Sequence, residues 1–215
     1  MRGRVNGLVV GGVICAMVVT CGQSASQSSN LDAGMVASND APVRLGPPAL
    51  DAAVFLDASC NVVIDSPPLL SRDHVDTGVP VVYNSNPPSS GPHYASWATY
   101  GVHTERVDPR LLVHNLEHGA IVLLYKCGVP SGCPDIVAQL ERVADTLPYD
   151  PLCLTTGIRA RTVIAPDPLL ANPIAAAAWG WVYNADCLDI PTLTAFTKAH
   201  YGFGPEATCE QGQVP

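Results

Sequence analysis

The sequence predicts an α+β domain: a small mixed β-sheet with helices packed on one face, in strand–helix–strand–strand–helix order, stapled by disulfides. Three observations carry this. Apolar residues make up 47% of the 215-residue chain and charged residues 14%, enough for a core and too few charges for a disordered chain. Between Ala120 and Phe196, short apolar runs alternate with stretches of helical period. Six cysteines spread over Cys60 to Cys209 make an even set for cross-linking.

Taken in order, residues 60 to 110 are broken by Pro67, Pro68, Pro80, Pro87, Pro88, Pro92 and Pro109, too often for long elements. Val79 to Tyr83 is expected to form a short strand. The remainder reads as an ordered loop, because Tyr83, Tyr94, Trp97 and Tyr100 bring bulk that packs down. Ala120 to Tyr125 (AIVLLY) is a continuous apolar run between Gly119 and Lys126, as in a strand buried on both faces. Pro134 opens a helix to Leu147, with Ile136, Val137, Leu140, Val143, Ala144 and Leu147 on one side and Pro148 as its stop. Arg161 to Ala165 is the next strand, ended by Pro166-Asp167-Pro168. Ala175 to Tyr183 (AAAAWGWVY) is read as one further strand. Asp189 caps the last helix, with Pro191 in its first turn and Gly202 past its end.

Ahead of the domain the chain is organised differently. Arg2 and Arg4 precede an uncharged apolar run from Leu8 to Thr20, which is short for a membrane span and suits a secretory signal over residues 1–20. Val18-Val19-Thr20-Cys21 resembles a lipobox, with Val18 and Thr20 where leucine and a small residue are usual. This makes Cys21 a candidate lipidation site and the membrane a partner through a lipid anchor; ordinary cleavage near Ser24 to Ser26 is the alternative, giving a secreted protein. Residues 21–49 are rich in Ser, Asn, Ala, Asp and Gln and read as a flexible linker, leaving 50–215 as one domain. Loss of residues 1–20 removes two arginines and no acid, taking the charge from −8 to −10. So acidic a surface repels phosphate backbones and argues against nucleic acid.

Export also bears on Cys60, Cys127, Cys133, Cys153, Cys187 and Cys209. In an oxidising compartment these six predict three disulfides rather than a thiolate metal site, and no C-x-x-C pair is present. Cys127 and Cys133 flank a turn-forming Gly-Val-Pro-Ser-Gly and are expected to pair. Cys153 with Cys187 and Cys60 with Cys209 would complete the set.

Two segments stand out chemically: Tyr83-Asn84-Ser85-Asn86-Pro87-Pro88-Ser89-Ser90-Gly91-Pro92-His93-Tyr94, and His114-Asn115-Leu116-Glu117-His118-Gly119 running into the buried strand. With Trp97-Ala98 and Tyr100-Gly101 they resemble the hallmark of the domain of unknown function 3105 family of exported bacterial proteins, over roughly Val79 to Glu206. That resemblance implies no activity.

The residues themselves suggest one. His114 and His118 are four apart, so on a helix both imidazoles share a face and can grip one ion; on a strand they would stand about 13 Å apart at ~3.3 Å per residue. His93, on a Gly-Pro-framed loop, supplies a third ligand, and Asn115 or Glu117 can orient an imidazole. Zinc or copper suits three imidazoles and an open position. His74, His103 and His200 lie near turns or helix ends and most are expected to be exposed, with His103 the best spare fourth ligand; Asp65, Asp73, Asp76 and Glu105 read as a solvated face. Trp97, Trp179 and Trp181 read as packing residues rather than a sugar platform.

Three functions follow as expectations. The first is an exported cell-envelope protein that binds copper or zinc through His93, His114 and His118. The second is a non-catalytic envelope binding module in which the same histidines are structural. The third is a metal-dependent hydrolase, since His114 to His118 fits H-x-x-E-H with Glu117 as general base.

Overall fold

The computed structural model describes residues 60–129 and 132–213. The expected signal segment, Cys21 and the linker lie outside the described residues. Six strands and three helices follow in the order β1 (Val62–Asp65), β2 (Gly101–Val102), α1 (Pro109–Glu117), β3 (Ile121–Tyr125), α2 (Pro134–Asp145), β4 (Thr162–Pro166), β5 (Ile174–Ala178), β6 (Trp181–Ala185) and α3 (Ile190–His200). The strands form one mixed sheet in the order β1-β6-β5-β3-β4-β2. The chain is therefore α+β, as its sequence predicts.

The topology follows from the connections. β3 and β4 are parallel and adjacent, with Ile121 opposite Thr162, so the chain between them must cross a face of the sheet, and α2 makes that crossing. β5 returns antiparallel on the other side of β3, and β6 folds back on β5. The run from Ala175 to Tyr183 is thus two strands rather than the single one expected. Ala178 pairs with Trp181, and Gly180 at φ +74° makes the turn between them. No polar residue marks that turn, which hides it in an apolar stretch.

Strand alternation sorts the side chains into two layers. Ile121, Leu123 and Tyr125 face α2 and α3, where Leu140, Val143, Leu193 and Phe196 close the core. The two helices of the expected order therefore share a face. Val122 and Leu124 point the other way, toward Leu111, Leu112 and Leu116 of α1 and toward Ala98 and Tyr100 of the preceding loop. Leu140 is fully buried at the centre of the first layer, and its truncation to alanine is expected to cost about 2–5 kcal/mol.

Val79 to Tyr83 forms no strand. Pro80 lacks a donor, the Val79 carbonyl accepts from Arg110, and Tyr83 donates its hydroxyl to the Pro92 carbonyl, so the segment is tied to α1 and its own loop instead of the sheet.

Three disulfides staple the domain, at Cα separations of 5.5, 5.9 and 5.2 Å for Cys60–Cys187, Cys127–Cys133 and Cys153–Cys209. The short pair is the one expected. The other two exchange partners relative to the expected Cys153–Cys187 and Cys60–Cys209. Register explains the exchange: Val62 pairs with Ala185, which brings Cys60 beside Cys187, while Cys209 lies on a tail that crosses α1 toward Cys153. No helix among the described residues is long and apolar enough to cross a membrane.

Candidate metal centre

The site is built on α1. Asp108 caps it by accepting from the Arg110 amide, and the hydrogen bond from the Arg110 side chain holds the Asp108 carboxyl below its ordinary range. Pro109 fills the first turn. The helix ends where Gly119 takes φ +78°, with its amide on the Leu116 carbonyl. His114 and Glu117 lie on the helix and His118 is its C-cap, so the helical alternative weighed for the pair is the one the chain adopts.

Four groups of this region are buried, His93 at 0%, Glu117 and His118 at 2% and His114 at 4% exposure. Each is held by a specific contact. His93 donates Nδ1–H to the Gly91 carbonyl at 2.8 Å, and its Nε2 lies 2.9 Å from Glu117 Oε2. Arg72 approaches the other carboxylate oxygen at 3.4 Å. His114 donates Nδ1–H to the Tyr94 carbonyl at 2.6 Å, which leaves Nε2 as a bare lone pair in the neutral ring. That Nε2 stands 3.1 Å from Nε2 of His118, whose Nδ1 has no partner among the described residues.

Burial disfavours the protonated form of both rings. It lowers the His114 pKa against the opposing bond to the Tyr94 carbonyl. It lowers that of His118 to about 4, with repulsion from Arg161, and from His114 whenever that ring is protonated, acting in the same sense.

The loop before α1 is anchored to the same rings. Asn115 accepts from the Ala98 amide at 3.1 Å and donates to the Ala98 carbonyl at 2.9 Å, a two-point clamp on the backbone. It therefore orients no imidazole directly. The clamp places Trp97 with its ring centroid 5.0 Å from His114 and 4.6 Å from His118. Trp97 is thus a packing residue at the rim; Trp179 packs against the second core layer and Trp181 stacks on His200.

Two residues join that the sequence did not single out as ligands. His74 is exposed, as expected, yet its backbone neighbours bond to His93: the His93 amide donates to the Asp73 carbonyl and the Val75 amide to the His93 carbonyl. The His74 ring then sits 5.0 Å from His93 and 5.1 Å from His114. Glu206, on the tail after α3, places Oε2 3.4 Å from His118 Nε2. Among the described residues, the ligand atoms of His74, His93, His114 and Glu117 lie within 4.8 Å of one another, and so do those of His114, His118 and Glu206. Either group can hold a metal ion. His103 joins neither group, because its Nε2 is engaged by the Thr99 carbonyl at 2.8 Å. Local sequence holds no signal for His74 or Glu206; each arrives by a long-range backbone contact.

Glu117, the base of the H-x-x-E-H reading, is engaged by His93 and Arg72 rather than standing free over the pair.

Fold and site together define a disulfide-stapled α+β domain with a histidine–carboxylate cluster gathered around one helix. The chain belongs to the family described as "Protein of unknown function (DUF3105)", whose model matches residues 74–212. That span holds every member of the cluster, from His74 to Glu206. No curated protein and no solved structure matches the chain.

Proposed function

We propose that this chain is an exported cell-envelope protein that binds a transition metal, zinc or copper, through His114 and His118, two of the three histidines expected as ligands. The observation that carries the reading is the 3.1 Å separation of the His114 and His118 Nε2 atoms. Nitrogens ~2.0–2.1 Å from one zinc ion at tetrahedral angles stand roughly 3.3 Å apart, so the pair already has ligand spacing. The Tyr94 carbonyl orients the His114 ring from outside, as a metal-bound histidine requires. Export is supported by the pairing of all six described cysteines in disulfides. Attachment through Cys21 follows from the lipobox-like sequence.

Elemental analysis of the untagged full chain, purified from an oxidising compartment, tests the metal. Near-stoichiometric zinc or copper, lost in His114→Ala, is the expected result; wild-type protein that retains none after titration overturns it. Labelling cells with a palmitate analogue tests the anchor, with tag expected on the wild type and absent from Cys21→Ala. An untagged, soluble wild-type product would make it a secreted protein.

A second reading has its own support. His114 of α1 donates to the Tyr94 carbonyl of the loop, and His93 of the loop meets Glu117 of α1, as structural staples in a binding module would. In that case His118 donates Nε2–H to His114, and the protein folds fully with no metal.

A further inference from the structure

The geometry points to Glu206 as the third protein ligand of this centre, which makes it a site for a divalent ion, Zn²⁺ or Cu²⁺, and not for Cu⁺. The inference rests on the reading of His114 and His118 as ligands. It differs from the three-histidine expectation, because His93 is occupied by Glu117 at 2.9 Å whereas Glu206 turns its carboxylate on His118.

The backbone puts Glu206 there independently of its side chain. The tail after α3 lies across the end of α1: the Gly202 amide donates to the Gly119 carbonyl at 2.8 Å and the Glu206 amide to the Glu117 carbonyl at 3.0 Å. The approach is close enough to require glycine. A Cβ on Gly204 would stand 2.3 Å from the Glu117 carbonyl oxygen and from the Gly119 nitrogen. Further along, Arg161 donates to the Thr208 carbonyl, Cys209 is bonded to Cys153, and Trp97 donates to the Glu210 carbonyl. The strap is therefore fastened on both sides of the carboxylate.

Distances then select a ligand role. The Nε2 atoms are 3.1 Å apart and Oε2 is 3.4 Å from His118 Nε2, both near the edge of a tetrahedron around one small cation. No packing purpose explains the position, since the Glu206 side chain is 45% exposed. A cation between Glu206 and the two imidazoles supplies the charge the carboxylate lacks.

The donor set decides the ion. Two imidazoles and a carboxylate suit Zn²⁺ and Cu²⁺, whereas Cu⁺ selects thiolate and thioether sulfur. Every described cysteine is in a disulfide, so no thiolate competes. Three protein ligands leave the fourth position for water or an incoming ligand.

The test compares the full chain, disulfides intact, with Glu206→Gln and His114→Ala, using Zn²⁺, Cu²⁺ and Cu⁺ each in competition with a chelator. Glu206→Gln keeps the backbone bond to Glu117, so its metal-free melting should match the wild type. Its Zn²⁺ and Cu²⁺ affinity should fall by at least the ~10–100-fold that loss of an outer partner costs a metal site. Cu²⁺ electron paramagnetic resonance of the wild type should show two nitrogen donors, with a signal altered in the variant. Unchanged divalent affinity and an unchanged spectrum in Glu206→Gln, beside loss of metal in His114→Ala, would leave the histidine reading standing and overturn the role of Glu206. Cu⁺ bound as tightly as Zn²⁺ would overturn the divalent assignment. A wild type that binds no metal would sink both.

Discussion

His93 and Glu117 meet at the junction of the loop and α1 with Nε2 and Oε2 2.9 Å apart, both side chains removed from solvent. The His93 Nδ1 proton is committed to the Gly91 carbonyl, so the contact requires a second proton, on the imidazole or on the carboxyl. A glutamine at position 117 can donate N–H to a neutral His93 at the same spacing. Glu117→Gln should therefore lose no more than about 1 kcal/mol in urea unfolding. Glu117→Ala, which strands a buried imidazole, should lose about 3 kcal/mol. Equal losses in the two variants would show that a full ion pair, not a shared proton, joins the residues.

Asn115 holds both polar groups of Ala98 in a region without exposure. Asn115→Ala leaves a buried amide and carbonyl unpaired, a cost of about 2–4 kcal/mol. It should also free Trp97 from His114 and His118, visible as a shift of tryptophan emission toward the solvent-exposed value. An unshifted spectrum would mean that the Trp97 bond to Glu210 suffices to hold the ring.

The lowered His118 pKa fixes a direction for acid stability. Between about pH 4 and the ordinary value of 6.5 the unfolded chain binds more protons at this position than the folded one. Metal-free protein should keep its stability above pH 6.5 and lose it as pH falls toward 4, with His118 contributing up to about 3 kcal/mol and His114 acting in the same sense. Melting curves across this range check it, and His118→Leu should flatten the slope. Asp150 behaves separately. Burial would raise its pKa, but bonds from Tyr201, the Leu152 amide and Arg161 hold it low, so its contribution disappears only at still lower pH.

Gly119 faces the backbone of Gly202, and a Cβ there would stand 2.9 Å from the Gly202 carbonyl carbon at φ +78°. Gly119→Ala should cost about 1–3 kcal/mol and push the tail off α1. Faster proteolysis around residues 202–206 would report the displacement; unchanged cleavage would show that the tail is held elsewhere.

Non-reducing peptide mapping should recover Cys60–Cys187, Cys127–Cys133 and Cys153–Cys209 with no free thiol among them. A Cys153–Cys187 peptide would contradict the strand register. Cys153 and Cys209 enclose 56 residues of sequence separation, so removing that bond should cost about 4 kcal/mol by loop entropy.

Local patterns decided much of this protein by themselves. The apolar run at Ala120 to Tyr125, the helical period after Pro134 and the Asp189 cap each specify an element within a few residues, because backbone geometry and burial act over one or two turns. The four-residue spacing of His114 and His118 likewise placed two imidazoles together once the segment was helical. Family membership was legible too, in the loop and helix motifs. What the tertiary structure alone decided depends on chain segments far apart in sequence. The break at Gly180 needed the sheet register, and so did the pairing of Cys60 with Cys187. His74 and Glu206 reach the cluster through backbone hydrogen bonds to His93 and Glu117 that no spacing encodes. A ligand's residue type can be read along a chain, but its neighbours are chosen by packing, where a shift of one strand position exchanges every contact.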